Sequence, residues 1–188
     1  EQDEVYKNDN EVRLLAIVNG DVDYKAQSLQ LASAPALLDG QQGGNYTVDL
    51  RPEITLGGFS FNVTHEDPAK RAVFNDVRFR EAMSIAINRQ ELNEVGFFGQ
   101  GTPQQYVGFS PKPEFISDKW LNYKTDFDAA AANALLDQVG MKDTDGDGFR
   151  ELPNGEKLVI AMSFATQGIA GQTVELVAQY WADVGIQS

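Results

Sequence analysis

The chain has no cysteine and a single histidine, His65, in 188 residues. Without thiols there is no disulfide scaffold, no thiol nucleophile and no zinc–cysteine site. With one imidazole, any Ser-His-Asp set would have to use His65. That residue stands beside Glu66 and Asp67, and no G-x-S-x-G elbow exists for it to serve. An exposed loop histidine is the expectation. Positive charge is scarce as well: 15 Lys and Arg face 28 Asp and Glu, a net charge of −13. Nucleic acid and anionic membrane surfaces both reward clustered cations, so neither is an expected partner. Long apolar runs are also lacking. The longest clean one is Leu-Leu-Ala-Ile-Val at 14–18, far below the ~18 residues that span a bilayer.

What remains is an ordinary globular composition. Hydrophobic residues make up 42% of the chain, enough to build a core and to argue against disorder. The chain opens on Glu-Gln-Asp with neither an initiator Met nor a leader, so an interior piece of a longer protein is expected. Residues 11–18 predict a short helix stopped by Asn19-Gly20, and 28–38 a partly helical stretch broken by Pro35. Residues 40–44, Gly-Gln-Gln-Gly-Gly, predict a loop. Tyr-Thr-Val-Asp-Leu follows at 46–50, and in 54–64 the alternation of Phe59, Phe61 and Val63 predicts a strand with one face buried.

Helical periodicity is strongest after Asn75 or Asp76, either of which can cap. Val77, Phe79, Ala82, Met83 and Ala86 fall on one side. Asn88 with Glu91 has capping-box spacing for a second helix over 89–95. From 99 to 123 periodicity disappears, and Pro103, Pro111 and Pro113 impose an irregular path. Asp126 or Asp128 then caps a helix ending at Gly140, Asn154-Gly155 marks a hairpin, and 171–185 predict a last helix with Val174, Val177, Ala178 and Trp181 buried. A further strand is expected to start at 186. Strands alternating with helices give an α/β class.

Two segments could carry chemistry. In Asp-Thr-Asp-Gly-Asp-Gly-Phe-Arg-Glu, Asp143, Asp145 and Asp147 match positions 1, 3 and 5 of a calcium loop, and Gly148 matches position 6. Glu151 falls at position 9. Position 12 is Asn154, which cannot supply the bidentate carboxylate. A polar turn leading into the hairpin is the expected reading; a structural calcium ion held by Asp143, Asp145, Asp147 and Glu151 is the alternative. The irregular segment carries Tyr106, Phe109, Phe115 and Trp120, which either pin a long loop to the core or line a ligand cleft.

The ordered landmarks resemble family 5 extracellular solute-binding proteins, the peptide-binding class of ABC importers. They are Val-Asn-Gly-Asp-Val-Asp-Tyr at 18–24, Gly-Gly-Phe-Ser-Phe-Asn at 57–62, the Asn-Asp-Val-Arg to Ala-Ile-Asn-Arg stretch at 75–89, Gly-Gln-Gly-Thr-Pro at 99–103, the acidic turn with its hairpin, and the closing helix. The resemblance implies a type II-like periplasmic-binding-protein fold. Residues 1–55 would belong to the first lobe and 56–188 would form most of the second, truncated before its return strand. It also implies a peptide ligand, no catalysis and no required cofactor. The full-length protein would be a membrane-anchored monomer in the periplasm or outside the cell, partnered by permease subunits. Phe61, Asn62, Gln104, Tyr106 and Phe109 become the expected cleft-lining positions. Alternatives are a receptor of the same family for a sugar or other small solute, and a calcium-stabilised extracellular interaction module.

Overall fold

Asp9 starts the first helix, α1 (Asn10–Val18), by accepting hydrogen bonds from the backbone N–H of Glu11 and Val12. The computed structural model describes residues 9–27, 29–51, 58–106, 112–164 and 171–188. The chain forms two compact units, Glu1–Pro52 and Glu53–Ser188.

In the first unit α1 packs against α2 (Ala34–Gly44), which follows a 3-10 turn at Leu31–Ser33. Two expectations are corrected here. Pro35 does not break the helix but opens it, because its missing N–H falls in the first turn, where no partner is needed. The glycines at 40–44 are helical rather than a loop, and two of them serve close approach. A Cβ on Gly40 would lie 2.6 Å from the Tyr46 hydroxyl, and one on Gly44 would lie 2.6 Å from the Val18 carbonyl oxygen. Residues 46–50 form no strand. The Tyr46 N–H donates to the Gln41 carbonyl (3.3 Å) and the Val48 N–H to Gln41 Oε1 (2.8 Å), so α2 takes backbone groups a neighbouring strand would need.

The second unit is built on α3 (Pro68–Asn75), α4 (Val77–Ile85), α5 (Arg89–Phe97), α6 (Asp118–Leu121), α7 (Ala129–Val139) and α8 (Gly171–Asp183). Asp76 ends α3 and caps α4, accepting from the Arg78 N–H at 2.9 Å. The α3 helix went unread in the sequence, although Asp67-Pro68 is a capping residue followed by an N1 proline. The buried face of α4 is Phe79, Ala82, Met83 and Ile85; Val77 is exposed, because at the first helical position it points off the core face. That face packs on α7, and α5 packs on α8.

Trp181, 1% exposed, sits at the centre and donates from Nε1 to the Met83 carbonyl at 3.1 Å. Its truncation to Ala would cost about 3–5 kcal/mol. Among the described residues no buried side-chain nitrogen or oxygen lacks a partner.

Residues 58–63 carry no strand either. Phe59 and Phe61 do turn inward as the alternation predicted, but the Val63 carbonyl accepts from Asn75 Nδ2 (2.6 Å) and the chain turns into α3. Val63 is exposed. The extended pairing among the described residues consists of isolated bridges. Glu151 pairs antiparallel with Lys142 across the acidic turn and with Lys157 across the Asn154-Gly155 turn, and Val159 pairs parallel with Gln187. The last of these lies where a strand was expected to start, at 186, and is a single bridge.

Candidate functional site

The irregular segment after α5 is tied down more firmly than its composition suggests. Phe98 and Gly99 adopt positive φ (53° and 71°) and end the helix, with the Gly99 N–H returning to the Asn93 carbonyl at 3.1 Å. Asn93 is 6% exposed and bonds Gly101 in both directions. Its Nδ2 donates to the Gly101 carbonyl (3.1 Å) and its Oδ1 accepts the Gly101 N–H (2.9 Å). A Cβ there would lie 2.6 Å from Asn93 Oδ1, so any side chain at 101 would push the carboxamide off this pairing. Four residues on, the Gln105 N–H donates to the Leu121 carbonyl (2.7 Å). Its Nε2 donates to the Tyr123 carbonyl (2.7 Å) and to Ser84 Oγ (3.3 Å). Sequence reasoning missed both Asn93 and Gln105. A mid-helix Asn and one of two adjacent glutamines give no periodic signal.

Behind this loop Arg89 closes the end of α4. Its guanidinium donates to the Ser84 carbonyl (2.7 Å), to Ser84 Oγ (2.8 Å) and to the Thr125 carbonyl (3.3 Å). A cation at a helix C-terminus opposes the dipole there. Burial pulls the Arg89 guanidinium below its ordinary pKa. In front, Tyr106 (63% exposed), Trp120 and Tyr123 face outward. The Trp120 and Tyr123 rings lie 5.8 Å apart, with Lys119 Nζ 5.0 Å from the Trp120 centroid. The Tyr123 hydroxyl donates to Glu81 Oε1, which holds the Glu81 carboxyl below the usual carboxylate range and pushes the phenol up.

The expected cleft positions separate into kinds. Gln104 and Tyr106 are exposed neighbours on the tethered loop. Asn62 is exposed but folds on itself, its Oδ1 accepting from the Thr64 N–H (3.1 Å) and Oγ1 (3.0 Å). Phe61 serves the core, its ring 5.2 Å from Phe79, 5.6 Å from Phe74 and 5.8 Å from Trp181. Phe109 lies outside the described residues. His65 is half-buried rather than exposed. Its ring packs on Phe74 and its Nδ1 accepts the Asp67 N–H at 3.1 Å, which opens the turn before α3.

Asp143, Asp145, Asp147 and Glu151 each offer a carboxylate oxygen within 4.8 Å of the others. Those oxygens already have partners. Asp143 accepts the N–H groups of Gly146 (2.7 Å) and Gly148 (3.0 Å). Lys157 Nζ bridges Asp145 (2.8 Å) and Asp147 (2.6 Å). The ammonium holds Asp147 below the usual carboxylate range, and the two carboxylates raise the Lys157 pKa in return. Glu151, 4% exposed, accepts from the Thr144 N–H (2.7 Å) and Oγ1 (2.6 Å). The set has the chemistry to hold a hard cation and carries a side-chain cation of its own.

A recess of about 620 Å³ opens near this turn, lined by Asn133, Asp137, Lys142, Asp143 and Arg150 among others. The half-buried Arg150 there is spent on Asp137, Asn133 and the carbonyls of Met141 and Val184.

The second unit thus presents a tethered polar–aromatic loop, and the chain's one imidazole serves as a turn cap. The chain belongs to the bacterial extracellular solute-binding proteins, family 5, whose sequence model matches residues 4–188. It is similar to the oligopeptide-binding protein OppA, at 32% identity and a TM-score of 0.70, over 97% of this chain and 30% of that one. A periplasmic oligopeptide-binding protein of Thermotoga maritima has the same fold, at 21% identity and a TM-score of 0.61 over 97% of this chain and 34% of that one. The fold is thus that of part of a periplasmic binding protein.

Among curated sequences, the chain is 34% identical over 88 residues to the periplasmic alpha-galactoside-binding protein of Rhizobium meliloti, covering 47% of this chain and 13% of the relative. It is 28% identical over 133 residues to a probable ABC transporter-binding protein of Deinococcus radiodurans, covering 69% of this chain and 22% of the relative. The chain therefore spans less than a quarter of the length of either curated relative.

Proposed function

We propose that this chain is a segment of the substrate-binding component of an ABC importer, a receptor that encloses a di- or oligopeptide between two lobes and delivers it to permease subunits. The observation that carries the reading is the 32% identity to an oligopeptide-binding protein, held across 97% of the chain. Gln104 and Tyr106, with Asn62 and Phe109, are the ligand-facing positions in this reading, and Phe61 supports Asn62 from the core. Main-chain recognition with roomy pockets suits peptides of varied sequence, and the exposed polar–aromatic loop supplies pocket wall. Residues 1–55 belong to the first lobe and 56–188 to the second. The full-length receptor works as a monomer in the periplasm or at the outer cell surface, tethered to the membrane. It binds without catalysis and without a required cofactor.

A saccharide ligand is the second reading. It is favoured by the 34% identity to an alpha-galactoside-binding protein and by the exposed Trp120 beside Tyr123, since flat aromatic faces suit sugar rings.

Native mass spectrometry of the full-length receptor as purified separates the two. A ladder of co-purified masses matching short peptides is expected, and a single saccharide mass overturns the peptide reading in favour of the second. One lobe alone cannot enclose a ligand by hinge closure. Calorimetry on the 188-residue chain should therefore register no peptide binding at micromolar concentrations.

A further inference from the structure

We infer that Asn93 and Gln105 are positioning residues for ligand binding, two clamps that fix the 101–105 loop so that Gln104 and Tyr106 are held in place before a ligand arrives. The inference rests on the reading above, in which Gln104 and Tyr106 face the ligand.

The first clamp is internal. Asn93 is 6% exposed, and both ends of its carboxamide are spent on the Gly101 backbone. A buried amide is costly to leave unpaired, so Gly101 cannot move away without stranding both a donor and an acceptor. The second clamp reaches inward from the loop itself. Gln105 is half-buried between two exposed neighbours, and its backbone and side chain together hold the carbonyls of Leu121 and Tyr123 and the Ser84 hydroxyl. Between the clamps lie Thr102, Pro103 and Gln104, and the proline ring removes one of the few backbone rotations left.

Ser84 is itself fixed, donating to the Lys124 carbonyl at 2.8 Å and accepting from Arg89 Nη2 at 2.8 Å. The loop is thus fastened to the end of α4, the middle of α5 and the end of α6. Side chains ordered in advance lose less freedom on binding, so loosening the clamps weakens affinity even though neither residue touches the ligand.

The test uses the full-length receptor, titrated with a random pentapeptide mixture and with raffinose, and follows intrinsic tryptophan fluorescence. Tyr106→Ala is expected to weaken binding on the order of tenfold or more. Gln105→Ala should weaken it by about tenfold, and the pair Gln105→Ala/Tyr106→Ala should lose less than the two single effects combined, because Gln105 acts in part through Tyr106. Hydrogen exchange over 101–106 should accelerate in Gln105→Ala while α8 stays protected. Asn93→Ala should behave alike where it folds; Gln105, in a surface loop, keeps the question open to test if it does not. Saturation with neither probe, or wild-type affinity in Tyr106→Ala, overturns the assignment of the ligand face and the inference with it. A weakened Tyr106→Ala alongside an unaffected Gln105→Ala, or additive effects in the pair, overturns the positioning role alone.

Discussion

The Tyr180 hydroxyl donates to Glu91 Oε2 across 2.7 Å, joining α8 to the first turn of α5. Burial, and then this bond to a carboxylate, raise the Tyr180 pKa. Tyr180→Phe keeps the ring and removes the bond. It should destabilise the chain by about 1–2 kcal/mol in urea unfolding, and equal midpoints for variant and parent would show that the link contributes nothing.

Gly43 and Gly44 are adjacent helical glycines with opposite surroundings. A Cβ at 43 meets nothing within 4 Å, whereas one at 44 meets the Tyr46 ring at 2.5 Å and the Val18 carbonyl oxygen at 2.6 Å. Gly43→Ala should stabilise the first unit by about 0.5–1 kcal/mol through helix propensity. Gly44→Ala should destabilise it by about 1–3 kcal/mol through overpacking. Hydrogen exchange of α1 and α2 amides reads both, and shifts of the same sign in the two variants would contradict the packing described.

The acidic turn should stand without added calcium, because Lys157 and backbone N–H groups already supply counter-charge. We expect the melting temperature of the parent chain to differ by less than about 2 °C between EDTA and millimolar calcium, an apparent stabilisation near or below ~1 kcal/mol. Lys157→Ala exposes Asp145 and Asp147 to each other, and calcium should then raise its melting temperature. A large calcium response in the parent would make the turn a genuine metal loop.

Acid stability follows from carboxylates whose pKa values are lowered in the fold. Asp67 is held down chiefly by the Lys70 N–H, Asp76 by the Arg78 guanidinium and Glu81 by the Tyr123 hydroxyl. Each contributes stability that is complete above the unfolded value near 4 and lost as pH falls through the lower folded value. Melting temperature should therefore hold from neutrality to about pH 5 and drop below about pH 4. Asp76→Asn should flatten that drop; an unchanged slope would remove Asp76 from the account.

The helices were the most readable part of the sequence, because caps and periodicity are local. Asn88 with Glu91, Asp128 and Gly140 all act where the pattern put them. The strand expected over 54–64, of which 54–57 lie outside the described residues, does not form at 58–63: the Val63 carbonyl is taken by Asn75, twelve residues on, and no short window contains that competition. The candidate site was half-legible. Exposed Gln104 and Tyr106 came from a family likeness, but the clamps beneath them depend on contacts between residues up to 21 positions apart.

Arg150 gives the second unit a mechanical character. Its guanidinium holds Asn133 and Asp137 of α7, the Met141 carbonyl after it and the Val184 carbonyl after α8, while its N–H takes the Gly185 carbonyl. Elements that share one fastener come undone as a set. The tail of α7, the acidic turn and the tail of α8 should exchange their amides at one common rate rather than fraying one by one, and a protease admitted to one of them would find all three open.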